Sequence, residues 1–147
     1  MNGEVVSVSI SKEKGVQKTP VDSVNAIVEH GLEGDAHAGK WHRQVSLLAS
    51  EGIKKMSEKG LELSSGDFGE NITTKGLVLN KLPVGTILKV GESVVLEISQ
   101  IGKKCHTKCN IFYQAGDCIM PNEGIFAKVI EGGTIKGGDN IEVITHP

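Results

Sequence analysis

Residues 86–99 read TILKVGESVVLEIS, and this stretch decides the fold class. Two runs rich in β-branched and aliphatic residues, Thr86 to Val90 and Ser93 to Ser99, flank Gly91-Glu92, a two-residue loop suited to a hairpin. Outward from this hairpin the same vocabulary recurs. Val5, Val8 and Ile10 lie in an opening strand, followed by a polar turn from Lys12 to Gly15. Val24 to Val28, Val45 to Ala49, Phe126 to Ile130 and Ile141 to Ile144 are further strands. Glu131-Gly132-Gly133 and Lys136-Gly137-Gly138-Asp139 read as turns. One helix is expected from Glu51 to Lys59, with Ser50 as its N-cap and Gly60 just past its end. A second, shorter helix is expected between Cys105 and Ala115. The chain is therefore mainly β with one or two short helices, an α+β composition arranged as a closed or partly closed barrel.

The 147 residues fit a single domain spanning 1–147. A chain of this length buries roughly two thirds of its unfolded surface and needs no disulfide or metal staple. Glycine occurs 19 times, about 13% of the chain against a usual value near 7%. Aromatic residues make up only 3%: Trp41, Phe68, Phe112, Tyr113 and Phe126. The core must then be built from Val, Ile and Leu. A formal net charge of −2 and the scarcity of aromatics argue against nucleic-acid binding, which draws on a dense positive field or a base-stacking platform. No run approaches the roughly 20 apolar residues of a spanning helix, so no membrane association is expected. The opening MNGEVVSVSI lacks the basic and apolar regions of a secretory signal. With three cysteines, an odd number, a cytoplasmic location and free thiols are expected.

Reactive side chains concentrate in three segments. The first, GLEGDAHAGKWHR at 31–43, carries Asp35, His37, Lys40, His42 and Arg43 among glycines. Such a loop turns backbone N–H groups and positive charge toward an anion such as phosphate; its alternative is a solvated charged tip. It matches neither a Walker A loop nor a dinucleotide fingerprint. The second, GKKCHTKC at 102–109, sets Cys105 and Cys109 beside lysines that favour the thiolate. This pair could also form half of a zinc site completed by His37 with His42 or His106, or consist of two small buried hydrophobes. The third, GDCIMPNEGIF at 116–126, places Cys118 in a turn, where a thiol can serve sulfur transfer, redox chemistry or soft-metal ligation. Asn71, in FGENITT, presents an amide and hydroxyls to a ligand or closes a turn on its own backbone.

Four stretches, GLEGDAHAGKWHRQVSLL, DFGENITTKG, VGTILKVGESVVLEIS and CHTKCNIFYQAGDCIMPNEGIFAKVIEGGTIKGGDNIEV, together resemble a MOSC domain. That family is named for the C-terminal domain of the eukaryotic molybdenum cofactor sulfurase, and the resemblance runs from about Val5 to Val143 in a stand-alone, bacterial-type form. It implies a β-barrel-like fold and handling of the molybdenum cofactor, a pterin dithiolene bearing a phosphate. It further implies a cysteine ligand to molybdenum, for which Cys118 is the best-matching position and Cys105 and Cys109 are the fallback. On the same implication His37, Lys40, His42 and Arg43 bind the pterin phosphate, while Asn71, Thr73 and Thr74 bond the pterin edge. The pyridoxal-phosphate-dependent desulfurase that precedes the domain in sulfurases has no counterpart in these residues.

Two activities follow from the resemblance: a molybdenum-dependent reductase of N-hydroxylated compounds, or a component that sulfurates or transfers the cofactor. Its partners would be enzymes that make or sulfurate the cofactor and, for a reductase, an electron-donor protein. The alternatives are a persulfide carrier without cofactor, using the lysine-flanked thiols, and a zinc-stapled structural module.

Overall fold

The computed structural model describes residues 2–13, 17–58, 63–102 and 124–145. Along them run β1 (Asn2–Ile10), β2 (Thr19–Val21), β3 (Ser23–Ile27), β4 (Gly31–Leu32), β5 (Val45–Ala49), α1 (Ser50–Ser57), β6 (Ile72–Lys75), β7 (Ile87–Val90), β8 (Val94–Ile101), β9 (Ile125–Glu131), β10 (Gly133–Lys136) and β11 (Asn140–Thr145). The second helix expected over 105–115 and all three cysteines, Cys105, Cys109 and Cys118, lie outside the described residues.

Seven strands close into a barrel in the order β1, β11, β7, β8, β9, β5, β6 and back to β1, with β2 attached to β1. Closure comes from β1, whose first residues pair with β11 (Gly3↔Ile141) while its middle pairs with β6 (Val5↔Thr74). A register shift between Val5 and Ser7, within the pairing with β6, bends the strand. The β7–β8 hairpin is present, with Val90 opposite Val94, so its loop has three residues, Gly91 to Ser93, rather than the two read from sequence. Gly91 sits at φ +65°, the left-handed conformation that glycine supplies at least cost.

Alternation sets the faces. Along β8, Val94, Leu96 and Ile98 are buried while Val95, Glu97 and Ser99 are more exposed. The buried cluster is aliphatic among the described residues, drawn from Val, Leu, Ile and Ala of every barrel strand. A smaller sheet, ordered β10-β3-β4, adds Val24, Ala26, Leu32 and Ile135 to that cluster. Its strand β10 occupies Gly133–Lys136, a stretch flanked by glycines that read only as turns.

One pairing in the barrel is parallel, β5 with β6 (Leu47↔Ile72). Parallel neighbours need a crossover of a dozen residues or more, and residues 50–71 supply it through α1. Leu48 and Ile53 are buried outside the barrel's core cluster, on the side where α1 packs against β5 and β6. Strand β6 falls on the Ile72-Thr73-Thr74-Lys75 segment, which sequence reading treated as a ligand-facing or self-bonded turn. No helix of the described residues is long and apolar enough to cross a membrane.

The crossover returns through Gly66, at φ +92°, whose N–H and C=O are both engaged, the latter by Lys18 N–H at 2.9 Å. A Cβ at this position would lie 2.1 Å from the Lys18 carbonyl oxygen. Gly66→Ala is therefore expected to cost about 3 kcal/mol of stability, measured as a lowered urea midpoint with an unchanged m-value.

Candidate functional site

The basic loop, residues 33–44, is anchored at both ends by buried strands, β4 in the small sheet and β5 in the barrel. Inside it, Asp35 folds the backbone around its own carboxylate. Oδ1 accepts from Ser11 N–H (3.1 Å) and Oδ2 from His37 N–H (3.2 Å). Lys18, reaching in from the segment before β2, donates to Asp35 Oδ1 at 2.8 Å, and both side chains are fully buried. Its ammonium also meets Ser11 Oγ (3.2 Å) and His37 Nδ1 (3.1 Å), so its three hydrogens have three acceptors. A buried pair of this kind adds little net stability, but removing one member costs about 3–5 kcal/mol because the other charge is stranded. Its contribution here is geometric: it fixes where His37 stands.

Arg43 is held by different means. Its Nε–H donates to Gln100 Oε1 at 3.0 Å, and its guanidinium carbon lies 5.3 Å from the Phe126 ring and 6.0 Å from the Trp41 ring. Rings at these distances attract the cation and restrict its rotamers. Trp41 is placed in turn by its indole N–H, which donates to His37 O at 2.7 Å. His42 shares Gln100 Oε1 through Nε2 (2.8 Å) and its carbonyl accepts the Ser99 hydroxyl. Gln100 thus ties two basic residues of the loop to β8, and its own amide donates to Gly102 O at 2.8 Å.

His37, Arg43 and Asn71 meet at a small cleft of about 10 Å³, completed by Ser46, Phe68, Gly69 and Phe126. Ser46 and Phe126 are directly paired across β5 and β9, which sets the floor on the barrel wall. Lys40 and His42 are exposed and stand outside this cleft. Asn71 is fully buried and committed to the protein: Oδ1 accepts from Ser46 N–H (2.9 Å) and Ser46 O–H (3.2 Å), and Nδ2 donates to Ser9 O (3.0 Å). It stitches β5 to β1 at the mouth of the parallel pair. Thr73 and Thr74 are buried on β6 and do not line the cleft, with the Thr73 hydroxyl donating to Glu70 Oε2 at 2.9 Å.

Lys18, Gln100, Ser46 and Glu70 carry much of this arrangement, and none stood out in the sequence. Lys18 has only polar neighbours in the chain, and its partner Asp35 is 17 positions away. Among the described residues no three His, Asp or Glu side chains gather as a metal ligand set would.

The class of protein is now defined: a closed β-barrel with a small sheet beside it and a basic loop folded over a small cleft. The MOSC domain matches residues 34–142, and the chain belongs to the MOSC domain family. Over 144 residues it is 26% identical to the uncharacterized protein YflK of Bacillus subtilis, covering 91% of this chain and 65% of that protein. It is 25% identical to the protein YiiM of Escherichia coli, covering 98% of this chain and 70% of the relative. The chain thus spans about two thirds of the length of these curated relatives. Among solved structures, YuaD of Bacillus subtilis superposes with a TM-score of 0.83 at 17% identity, covering 100% of this chain and 98% of that one. YiiM of Geobacillus stearothermophilus gives 0.72 at 21% identity, covering 97% and 75%. At these identities the superpositions establish the shared fold. Membership associates the chain with the molybdenum cofactor at the level of the family.

Glu70 supplies a measurable property of the site's wall. Burial pushes its carboxyl above the ordinary glutamate value, opposed by donors from Gly66 N–H, Thr73 O–H and Phe68 N–H. Between the ordinary and the raised value the native state holds more protons than the unfolded chain, so this residue's contribution makes stability fall as pH rises across that window. Glu70→Gln should remove that decline. Urea midpoints measured from pH 4 to 7 will then show the gap between wild type and variant changing with pH rather than staying constant.

Proposed function

We propose that this protein binds the molybdenum cofactor, with the cofactor's phosphate end in the cleft at His37 and Arg43. The observation that carries this reading is the guanidinium of Arg43, clamped between Gln100, Phe126 and Trp41 at the edge of a small polar cleft. A fixed guanidinium offers paired N–H groups to a phosphate in one orientation. The cleft is small, with about 10 Å³ open, room for roughly one water molecule. It therefore suits one end of an extended molecule and leaves the remainder at the surface beside Trp41. The donor set fits an anionic group: one fixed cation and an imidazole, with no carboxylate on the lining among the described residues.

Cys118 is the proposed ligand to molybdenum. What supports it from the described residues is the root of the segment in which it lies. Gly102 N–H donates to Gly124 O at 2.6 Å, and Ile101 pairs with Ile125. The chain leaves and re-enters the barrel at one point, two residues from Phe126 in the cleft. Bound, the cofactor would supply a redox-active metal able to accept oxygen from a substrate. The work of this chain's own residues is to hold the anionic end through Arg43, to orient it with His37, and to shield it between Phe68 and Phe126. The activity that follows is reduction of N-hydroxylated compounds, with an electron-donor protein as partner in the cytoplasm; transfer or sulfuration of the cofactor is the other outcome.

The test is to purify the protein from a host that makes the cofactor and measure molybdenum by elemental analysis and pterin by fluorescence. One of each per chain is expected. Arg43→Ala should weaken pterin retention by roughly 10- to 100-fold, the loss expected for a hydrogen bond to a charged group. Cys118→Ser should release molybdenum. Full molybdenum content in Cys118→Ser overturns the ligand assignment. Wild-type protein with neither metal nor pterin overturns the reading, and a persulfide gained from a desulfurase would then make it a sulfur carrier.

A further inference from the structure

Lys18 belongs to no motif and does not line the cleft at His37 and Arg43, yet all three of its ammonium hydrogens have acceptors. Its ammonium is buried against Asp35 Oδ1 (2.8 Å), His37 Nδ1 (3.1 Å) and Ser11 Oγ (3.2 Å). An ion pair with Asp35 accounts for one of these contacts. The contact with His37 has a chemical consequence that the ion pair does not require. An ammonium has three donors and no acceptor, so the ring nitrogen facing it must accept. Nδ1 therefore carries no hydrogen, and the ring's hydrogen resides on Nε2.

We propose that Lys18 is a positioning residue that locks His37, at the cleft, in its neutral Nε2–H form. The proposal deepens the anion-binding reading of the cleft and rests on it for its functional meaning. A neutral N–H donor binds a phosphate through direction rather than charge, leaving Arg43 as the cation that does so. Among the described residues, the charged and titratable groups packed around the ring are consistent with this. Lys18 comes from the segment before β2 and Asp35 from the ring's own loop, where it accepts the His37 backbone N–H. Arg43 and His42 both contact Trp41, the residue stacked parallel to His37 at 6.4 Å between centroids. Protonating Nδ1 would break its bond to Lys18 and set two cations against each other 3.1 Å apart.

The experiment is a long-range proton–nitrogen correlation spectrum of ¹⁵N-histidine-labelled protein, recorded from pH 5.5 to 8, with inorganic phosphate titrated in parallel. Wild type should show His37 as the Nε2–H tautomer throughout. The single change Lys18→Met strands the Asp35 carboxylate and endangers folding, so the companion is Lys18→Met with Asp35→Asn, which removes both charges of the buried pair. In that variant His37 should protonate as pH falls through the ordinary histidine range near 6.5, and phosphate affinity should rise roughly fivefold over the same interval, the difference between a neutral and a charged donor. An Nδ1–H tautomer or an imidazolium in wild type at pH 7 overturns the proposal whatever phosphate does. A double variant whose His37 titration is unchanged also overturns it. Wild type with the Nε2–H tautomer but no phosphate binding supports the lock and counts against the anion reading of the cleft, so the two failures are distinguishable.

Discussion

The site depends on a single parallel pairing in an otherwise antiparallel barrel. Parallel strands begin at the same end, so the two segments that enter β5 and β6 arrive side by side. One is the basic loop at 33–44, and the other is the end of the crossover at 64–71. Asn71 fixes their meeting by bonding Ser46 on one strand and Ser9 on the next. An antiparallel pair would have sent these two segments to opposite ends, and His37 and Arg43 would face no Phe68 or Gly69.

From that junction a line of hydrogen bonds runs inward to the loop. Thr73 donates to Glu70, Glu70 accepts from Gly66, Gly66 accepts from Lys18, and Lys18 holds Asp35 and His37. Every link is buried or nearly so, where an unmet polar group is expensive and a met one is directional. Arg43 lies outside this line and is steadied by rings and by Gln100. The two basic residues of the cleft thus draw on different supports, one on β6 through the polar line and one on β8 and β9, with Trp41 touching both.

Much of the barrel was legible because its strands are aliphatic runs bounded by glycine. The segments at 5–10, 24–28, 45–49, 86–90, 93–99, 126–130 and 141–144 each overlap a strand. What escaped had reasons in the chemistry. Strand β6 has one aliphatic residue followed by Thr-Thr-Lys, a pattern shared by turns, and its pairing is set by the crossover. Strands β2 and β4 are only three and two residues long. The density of charge between Asp35 and Arg43 marked the loop, and His37 and Arg43 do reach the cleft. Lys18 and Gln100 left no local trace, since their roles come from partners 17 and 57 or more positions distant.

The bond between Gly102 and Gly124 has a consequence for how such a barrel diversifies. Because the two residues are already neighbours in the β8–β9 ladder, the barrel is closed without help from whatever chain connects them. Doubling the length of a flexible connection adds only about 0.6 kcal/mol of closure entropy. The junction is therefore a port: sequence can be lengthened, shortened or exchanged there while β8, β9 and the cleft they support keep their register. A scaffold of this kind keeps its fold in the β8–β9 ladder and can take new chemistry at the junction.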